Sequence, residues 1–499
     1  MSRRMSFLAL FVLLLFAIVA AQALNVQFFR AKALDASPIN PRVFQSSSTA
    51  PRGEIVAADG TILAQSVAVA GAQNVYKRVY PLGSLTAGVV GFSSPSYGTW
   101  ALEAEYNGYL SSHAQPPKSF AQVLAPTSGA DSVTLTLQPS LQRVAQKAMG
   151  GLDGAAVVLD PRNGDVLAMY SNPTYNPTPF TSFNYQVAKA AWLKDTKNNS
   201  HGFPPLGLVA TQQTFPPGST FKIVTTSAVL VSMPQLMTKV YPELHFTKLP
   251  NTNKTLSNYA SELCGGTIPE MLPPSCDTGY ALVGLDLGGT NLANAANSYG
   301  YNEVPPIDLP GVAASYFPSA ASFTYNQPQL AYSAIGQENV KTSTLMNALT
   351  AAAVANGGVM MTPHLMNYIS GPDGSIVKRY KPTAWKTPLT TSQAAQISTL
   401  MVAVATKGTA QGVFPAADDV GAKTGTSQVG NGVQNTDDWM IAFAPASNPT
   451  IAVAVVVPFQ VTSATGNSVA GPIMRCLVEG ALALQSGSPA SGTSTTCPS

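Results

Sequence analysis

The sequence has few charged residues, few histidines and few cysteines. Charged side chains make up 10% of its 499 residues, and the formal net charge is only +3. Nucleic-acid-binding proteins concentrate basic side chains, so this composition argues against nucleic acid as a partner. The four histidines are scattered without ligand spacing, and the four cysteines contain no C-x-x-C pair. We therefore expect no metal, no redox centre and no cofactor.

The one long apolar run lies at the N-terminus. Residues 5–24 are almost entirely apolar and follow Arg3 and Arg4. About 20 apolar residues span the hydrocarbon core of a membrane, and the arginines would keep residues 1–4 in the cytoplasm. Residues 21–23 (Ala-Gln-Ala) resemble a signal-peptidase site, so a cleaved signal peptide is the alternative. We expect a retained single-pass anchor in the cell membrane, with the remainder of the chain outside the cytoplasm.

Residues 25–135 predict a small β-rich N-terminal domain, which we call the pedestal. Residues 52–55 and 59–64 have the pattern of two short strands around a turn. Residues 133–137 alternate between polar and apolar side chains like a further short strand.

Residues 136–485 predict an α+β domain. A strand–turn–strand pattern at 155–169 opens this region, and three consecutive strand patterns at 420–457 lie near its end. Because helical patterns separate these two groups of strands, we expect one antiparallel sheet completed from both ends of the domain. Residues 486–499 are rich in Ser, Thr, Gly and Pro and predict a disordered tail.

The strongest functional signal is Ser219-Thr220-Phe221-Lys222, directly after Pro-Pro-Gly at 216–218. The prolines and glycine mark a loop, and the apolar run that follows predicts a helix. Residues three apart share a helix face, so Lys222 can reach the Ser219 hydroxyl. The N-terminus of a helix also favours negative charge, which would lower the lysine pKa and stabilise an oxyanion. Ser219 is therefore a candidate nucleophile with Lys222 as its base.

Alone, a Ser-x-x-Lys pair is more often a helix cap followed by a solvated lysine. Two further motifs follow in order, Ser275-Cys276-Asp277 and Lys423-Thr424-Gly425-Thr426. Together the three motifs are typical of penicillin-binding proteins and serine β-lactamases. The set as a whole favours an acyl-transfer site over an accidental match.

The third motif predicts a binding strand at the edge of the sheet. Lys423, Thr424 and Thr426 supply a cation and two hydroxyls, which suit a substrate carboxylate. Gly425 would leave room for substrate to lie against the strand. The backbone N–H groups of Thr426 and Ser219 would form an oxyanion hole.

The second motif predicts a proton relay on a pinned loop. Ser275 could pass a proton between Lys222 and the leaving amine. Export permits disulfides, and Cys264 and Cys276 flank a short, turn-rich stretch, so a bridge between them would hold the Ser275 loop. Two separate buried thiols are the alternative. A bridge between Cys476 and Cys497 is a further candidate that no pattern supports.

Over nearly its whole length the chain resembles the class B penicillin-binding proteins, in particular their short single-pass members of septal or elongation wall synthesis. Besides the three motifs, the resemblance rests on Arg52-Gly53 with Asp59-Gly60, Leu102-Glu103 with Tyr106-Asn107, Asp160-Pro161 with Gly164-Asp165, Ile335-Gly336-Gln337 and Ala355-Asn356-Gly357-Gly358. It implies a transpeptidase/serine β-lactamase-like fold, with a five-stranded antiparallel sheet flanked by helices, behind the pedestal and the anchor helix.

The resemblance also implies a D,D-transpeptidase of peptidoglycan synthesis. Ser219 would attack the penultimate D-Ala carbonyl of a stem pentapeptide, release the terminal D-Ala and pass the acyl group to an amine of a neighbouring stem. β-Lactam antibiotics would acylate the same serine. The roughly 120 exported residues before Gly154 are too few for a glycosyltransferase domain plus linker. We therefore expect a monofunctional enzyme that works with a separate membrane glycosyltransferase, a polymerase of the SEDS type.

Two positions depart from the family pattern. Asp277 stands where Asn is more usual, and an ionised carboxylate cannot donate a hydrogen bond. It would either pair with Lys222 and raise its pKa, or be held neutral. The residues at 208–209 are Leu-Val in place of an Asn-Arg pair.

Two rival functions remain at this stage. The Ser-Thr-Phe-Lys motif also suits a class D-like serine β-lactamase, although the predicted pedestal favours the transpeptidase. Asp277 leaves open a penicillin sensor or scaffold that binds ligand without turnover.

Overall fold

The computed structural model describes residues 3–25, 50–114, 128–429 and 434–487. In chain order, its α-helices are α1 Arg3–Leu24, α2 Ala87–Val90, α3 Leu102–Glu105, α4 Asn107–Leu110, α5 Pro139–Met149, α6 Tyr185–Asp195, α7 Val209–Gln212, α8 Lys222–Ser232, α9 Ile268–Met271, α10 Asp277–Ser298, α11 Gln327–Ser333, α12 Thr344–Ala355, α13 Thr391–Lys407 and α14 Ala470–Gln485.

The strands are β1 Ile55–Val56, β2 Ile62–Ala68, β3 Tyr76–Val79, β4 Ser93–Ser94, β5 Gly98–Thr99, β6 His113–Ala114, β7 Ser128–Gly129, β8 Ser132–Leu135, β9 Gly154–Leu159, β10 Val166–Asn172, β11 Tyr241–Leu244, β12 Phe246–Lys248, β13 Thr255–Ser257, β14 Cys264–Gly266, β15 Met360–Met361, β16 Met366–Ser370, β17 Ile376–Arg379, β18 Ala384–Lys386, β19 Gly421–Gln428, β20 Gln434–Ala444 and β21 Ile451–Val461.

A five-stranded antiparallel sheet forms the centre of the larger domain. Its strand order is β10-β9-β21-β20-β19, so two strands from the start of the domain lie beside three from its end. The α+β prediction and the sheet completed from both ends are confirmed. The order also makes β19 an edge strand, which leaves one side of its backbone open to a ligand.

Helices cover both faces of this sheet. Helix α12 packs against β9, β20 and β21, while α5 and α14 pack against each other and against the sheet. Every residue of β9 and of 451–457 is buried, and nearly all of them are apolar. Strands that are uniformly apolar in this way require cover on both sides, because successive side chains point to opposite faces.

The pedestal is β-rich, as predicted, but its sheet is not made of N-terminal residues alone. The order is β17-β16-β8-β1-β2-β3, so two strands from 366–379 extend it. β8 pairs in parallel with β1 and antiparallel with β16. The predicted domain boundaries at 135 and 485 stay predictions, and the shared sheet joins the two regions through backbone hydrogen bonds.

A cluster of buried charges, the pedestal ion cluster, holds the pedestal together. Arg52 and Arg78 contact different oxygens of Glu103, at 2.8 and 2.5 Å. The Tyr80 hydroxyl donates to the same carboxylate at 3.1 Å, and Arg52 also donates to the Asn107 side chain at 2.8 Å. Burial alone would raise the pKa of Glu103, but Arg78 and Arg52 outweigh burial and hold the pKa below its ordinary value.

The remaining predictions concern the membrane anchor at the N-terminus and the tail at the C-terminus. Within the described part of the chain, no helix combines the length and the apolar character needed to cross a membrane. The anchor at 5–24 stays a prediction. Most of the predicted tail, residues 488–499, lies outside the described residues, as does Cys497.

Candidate active site

Ser219 lies in a tight turn that leads into helix α8. Residues Gly218–Phe221 form a single 3-10 turn, and the α-helix itself begins at Lys222. The helix therefore starts three residues later than its pattern predicts, because the first turn is tighter than an α-helical turn. Gly218 has a φ of 52°, and a Cβ atom on it would lie 2.9 Å from the Thr426 carbonyl oxygen. Glycine at this position lets the turn approach the edge strand.

Two side chains of the sheet hold the loop before the turn. Trp439 Nε1 and Ser427 Oγ both donate to the carbonyl oxygen of Pro216, at 2.9 and 2.7 Å. Trp439 and Ser427 are buried and lie on neighbouring strands. The Ser219 turn is thus positioned by hydrogen bonds to β19 and β20 as well as by its own helix.

Gly425 lets the edge strand approach the Ser219 turn closely. A Cβ atom on it would lie 2.8 Å from the Pro217 carbonyl oxygen and 2.9 Å from Thr220 Cγ2. The missing side chain therefore makes room for the Ser219 turn, and the further expectation that it leaves room for substrate stays a prediction.

Ser219, Lys222 and Asp277 form one hydrogen-bonded group. Lys222 Nζ donates to Ser219 Oγ at 2.9 Å, to Asp277 Oδ1 at 2.7 Å and to the Ser275 carbonyl oxygen at 2.6 Å. The lysine side chain is fully buried, whereas that of Asp277 is 23% exposed. The structure therefore brings the first and second motifs together around one ammonium group.

The Ser275 hydroxyl lies between the two lysines. Lys423 Nζ donates to Ser275 Oγ at 2.8 Å, and Lys222 Nζ approaches the same oxygen at 3.2 Å. Ser275 has a φ of 64°, an uncommon conformation for a residue with a side chain. With two donors on its oxygen, both lone pairs of the hydroxyl are used, and its proton is left to donate to a third group.

Burial sets the protonation of both lysines. It lowers the pKa of Lys222, and the neighbouring Asp277 acts in the opposite direction without cancelling it. Burial, and then repulsion from Lys222, lowers the pKa of Lys423 as well. Of the two outcomes considered for Asp277, pairing with Lys222 is the one found. Two buried ammonium groups beside one carboxylate favour loss of a proton from one lysine, which creates a base.

The threonines of the third motif face the same cleft. Thr424 Oγ1 lies 2.6 Å from Thr409 Oγ1, and Thr426 Oγ1 accepts a hydrogen bond from the Gly466 N–H at 3.0 Å. The sequence analysis did not identify Thr409. It stands alone between a helix and a loop, and no local pattern marks its contact with the edge strand.

A small two-hairpin wall, residues 241–266, closes one side of the cleft. It consists of the pairs β11–β14 and β12–β13. A disulfide bond joins Cys264 to Cys276, which links the wall to the second motif. The Asn258 side chain also accepts the Thr278 N–H at 2.9 Å, in the first turn of α10. The wall and the Ser275 loop are therefore connected both covalently and by hydrogen bonding.

The cleft has a volume of about 1090 Å³, just above the usual range for ligand pockets. Ser219, Ser275, Asp277, Thr424 and Thr426 all line it. The nucleophile candidate is thus accessible, and an extended peptide can lie between the two-hairpin wall and the edge strand.

Two acidic residues beside the site are missing from the sequence analysis. Strand β20 begins at Gln434 and so includes Asp437 and Asp438. Both are buried, and they pair with Ser427 and Thr426 of the edge strand. Two adjacent carboxylates directly before an apolar strand were the signal that could have identified them.

The chain matches two family models. Residues 154–479 match the penicillin-binding protein transpeptidase domain, and residues 52–133 match the penicillin-binding protein A dimerisation domain. The first of these matches covers more than half of the chain.

Similar proteins and structures agree with these matches. The chain is 34% identical over 498 residues to the peptidoglycan D,D-transpeptidase PbpA of Mycolicibacterium smegmatis, a match that covers 95% of this chain and 98% of the relative. The ceftriaxone acyl-enzyme complex of penicillin-binding protein A from Mycobacterium tuberculosis superimposes with a TM-score of 0.78 at 31% identity, covering 88% of this chain and 99% of that one. The D,D-transpeptidase domain from Eggerthella lenta gives a TM-score of 0.76 at 29% identity, with coverage of 88% and 99%.

Proposed function

The chain belongs to the penicillin-binding protein transpeptidase family, and we propose that it cross-links peptidoglycan through an acyl-enzyme formed on Ser219. It is a class B penicillin-binding protein and a peptidoglycan D,D-transpeptidase. The observation that supports Ser219 as the nucleophile is its hydrogen bond to the buried Lys222, whose pKa is lowered by burial. A neutral amine at this distance can accept the hydroxyl proton.

Acylation begins when Ser219 Oγ attacks the penultimate D-Ala carbonyl of a stem pentapeptide. The serine proton passes to the neutral amine of Lys222 as the new C–O bond forms. Collapse of the tetrahedral intermediate breaks the C–N bond, and Ser275 transfers a proton from Lys222 to the departing D-Ala amine. The Ser275 hydroxyl is placed for this transfer because Lys222 Nζ is 3.2 Å away.

Deacylation reverses the proton flow. An amine of a second stem peptide attacks the ester, its proton returns through Lys222 to Ser219, and a new amide bond replaces the ester. The N–H groups of Ser219 and Thr426 hold the oxyanion in both steps, and each such donor typically contributes about 10²–10³ in rate.

The third motif binds the carboxylate of the donor peptide. The hydroxyls of Thr424 and Thr426 face the cleft from the edge strand. The buried Lys423 contributes through its Nζ, which lies 2.8 Å from the hydroxyl of Ser275, a residue that lines the cleft. The same groups bind the carboxylate of a β-lactam, which acylates Ser219 in place of the peptide.

A labelling experiment tests the nucleophile. Fluorescent penicillin should label the wild-type chain stably, and Ser219→Ala should abolish the label. Ser232→Ala, at the exposed end of the same helix, is the matched control and should label normally. Labelling of Ser219→Ala at the wild-type rate would refute the assignment.

A second assay separates transpeptidation from the rival functions. D-Ala release from a pentapeptide donor, with transfer to an added amine, is the expected result. Rapid release of hydrolysed penicillin would instead indicate a β-lactamase, and labelling without D-Ala release would indicate a sensor.

The enzyme acts at the outer face of the cell membrane as a single-pass protein. The apolar run at 5–24 and the preceding Arg3 and Arg4 support this location and an N-terminus in the cytoplasm. A membrane glycosyltransferase of the SEDS type supplies the glycan strands in septal or elongation synthesis. Deletion of residues 1–24 should release the protein from the membrane fraction and remove co-purification of the polymerase. Retention of the truncated chain in that fraction would contradict the anchor.

A further inference from the structure

Next to Thr426, on the neighbouring strand β20, lies a buried carboxylate that makes no well-formed hydrogen bond. Asp438 is directly opposite Thr426 in the β19–β20 register, so the two side chains share one face of the sheet. Directly opposed residues have Cβ atoms about 4.5–5.5 Å apart. Asp438 is 0% exposed, and within the described residues neither of its oxygens has a hydrogen-bond partner of good geometry. A buried polar group in this condition requires an explanation.

The Thr426 hydroxyl is the polar group that Asp438 can reach. A threonine hydroxyl has one proton to donate and two lone pairs that accept. One lone pair already accepts the Gly466 N–H at 3.0 Å. The second lone pair and the proton of the Thr426 hydroxyl remain. One of them can form a hydrogen bond with Asp438, and the other is then available to a ligand in the cleft.

We propose that Asp438 is a positioning residue that acts through Thr426 and makes recognition of the substrate carboxylate depend on pH. A protonated Asp438 donates to the second lone pair of Thr426, so the threonine proton points into the cleft. An ionised Asp438 accepts that proton, so Thr426 presents a lone pair to the incoming carboxylate. The inference rests on the proposed function, in which Thr426 contacts the donor carboxylate.

The surroundings of Asp438 place this change near neutral pH. Burial raises the pKa of Asp438 to about 7, the nearby Thr426 hydroxyl lowers it somewhat and the charge of Asp437 raises it. Burial likewise raises the pKa of Asp437 to about 6, against the Phe459 N–H and Lys341, which lower it. Within the described residues, Asp437 is the charged group that acts on Asp438, and no cation offsets its burial.

The direction of the effect follows from the charge of each form. Below pH 7 Asp438 is neutral and Thr426 donates to the carboxylate. Above pH 7 Asp438 is ionised, so the donor is lost and a buried negative charge lies behind the binding strand. Recognition of carboxylate ligands should therefore weaken by about tenfold between pH 6 and pH 8, following the neutral fraction of a group with a pKa near 7.

The test measures the second-order acylation rate of the full-length chain in detergent from pH 5.5 to 8.5 with fluorescent penicillin. Wild type should lose about tenfold between pH 6 and 8. Asp438→Asn should lack this loss and keep only the rise that deprotonation of Lys222 causes, because the amide donates to Thr426 at every pH. Asp437→Asn is the matched control and should keep the fall, with its midpoint moved to lower pH. If the acylation rate of Asp438→Asn fell with pH as the wild-type rate does, the proposal would be overturned. The pH dependence would then belong to another group, such as Lys423.

A second measurement needs no variant. A thioester donor with a free terminal carboxylate should show the fall in wild type, whereas its methyl ester should not. Equal falls for both donors would overturn the proposal even if Asp438→Asn fails to fold. Absence of Ser219-dependent labelling at every pH would instead refute the proposed function, so the two failures are distinguishable.

Discussion

The pedestal ion cluster and the active-site cleft combine two basic side chains with one carboxylate, but the basic residues are arginines in the first and lysines in the second. In the pedestal, two arginines share Glu103. In the cleft, two lysines lie beside Asp277. Each cluster therefore has two cations for one carboxylate, yet the pedestal cluster is structural and the cleft is reactive.

The chemistry of the cations explains the difference. An arginine does not lose its proton in a protein, so Glu103 must stay ionised to balance Arg52 and Arg78. A buried lysine can lose its proton, and burial lowers the pKa of both Lys222 and Lys423. Exposure adds to the contrast, because the Glu103 side chain is 0% exposed and that of Asp277 is 23% exposed. The same charge ratio thus gives a fixed ion cluster with arginine and a base with lysine.

The largest expected effect comes from removing the base. Lys222→Met retains an unbranched, buried side chain and removes the amine, so the acylation rate should fall by about 10²–10⁴. The fold should survive, because the Asp277 partner that is left behind is partly solvated. Stopped-flow acylation by penicillin and thermal unfolding measure the two outcomes.

Lys239→Met is the control for this variant, because Lys239 pairs with Asp286 on the surface. It should acylate at the wild-type rate. If Lys222→Met acylated within tenfold of wild type, Lys222 could not be the base.

The next effect separates stability from activity. Glu103→Gln leaves two buried arginines without their anion, so the free energy of unfolding should fall by about 3–5 kcal/mol. Denaturant unfolding measures this loss, and the folded fraction should still label with penicillin. Glu105→Gln, on the same short helix but exposed, should change stability by less than about 0.5 kcal/mol. Loss of labelling in folded Glu103→Gln would show that the pedestal cluster also shapes the site.

The smallest effect sharpens the role of the carboxylate in the cleft. Asp277 raises the pKa of Lys222, so Asp277→Asn should lower that pKa further. The neutral base would then be present at lower pH, and the acidic limb of the acylation profile should move to lower pH, with the neutral-pH rate within about tenfold of wild type. Asp286→Asn, outside the cleft, should leave the limb in place. A limb that moved to higher pH would contradict the assignment of Lys222.

Much of the larger domain could be predicted because its signals are local. The three C-terminal strands lie in the region where the sequence predicts them, although the last of them extends to Val461. The pedestal sheet was predicted less completely, because β16 and β17 join it from more than 200 residues downstream. Pairing over such a distance leaves no mark in a local pattern.

The amino-acid sequence by itself determined the contact between Ser219 and Lys222, since residues three apart in a helical turn must lie on one face. It also determined the two groups of strands and the arrival of Lys423 on one of them. Only the tertiary structure decided which distant groups surround these residues. Burial, and with it the lysine pKa values, depends on packing of the whole domain. The register between β19 and β20 placed Asp438 directly beside Thr426. Strand pairing is set by the complete sheet and not by either segment alone.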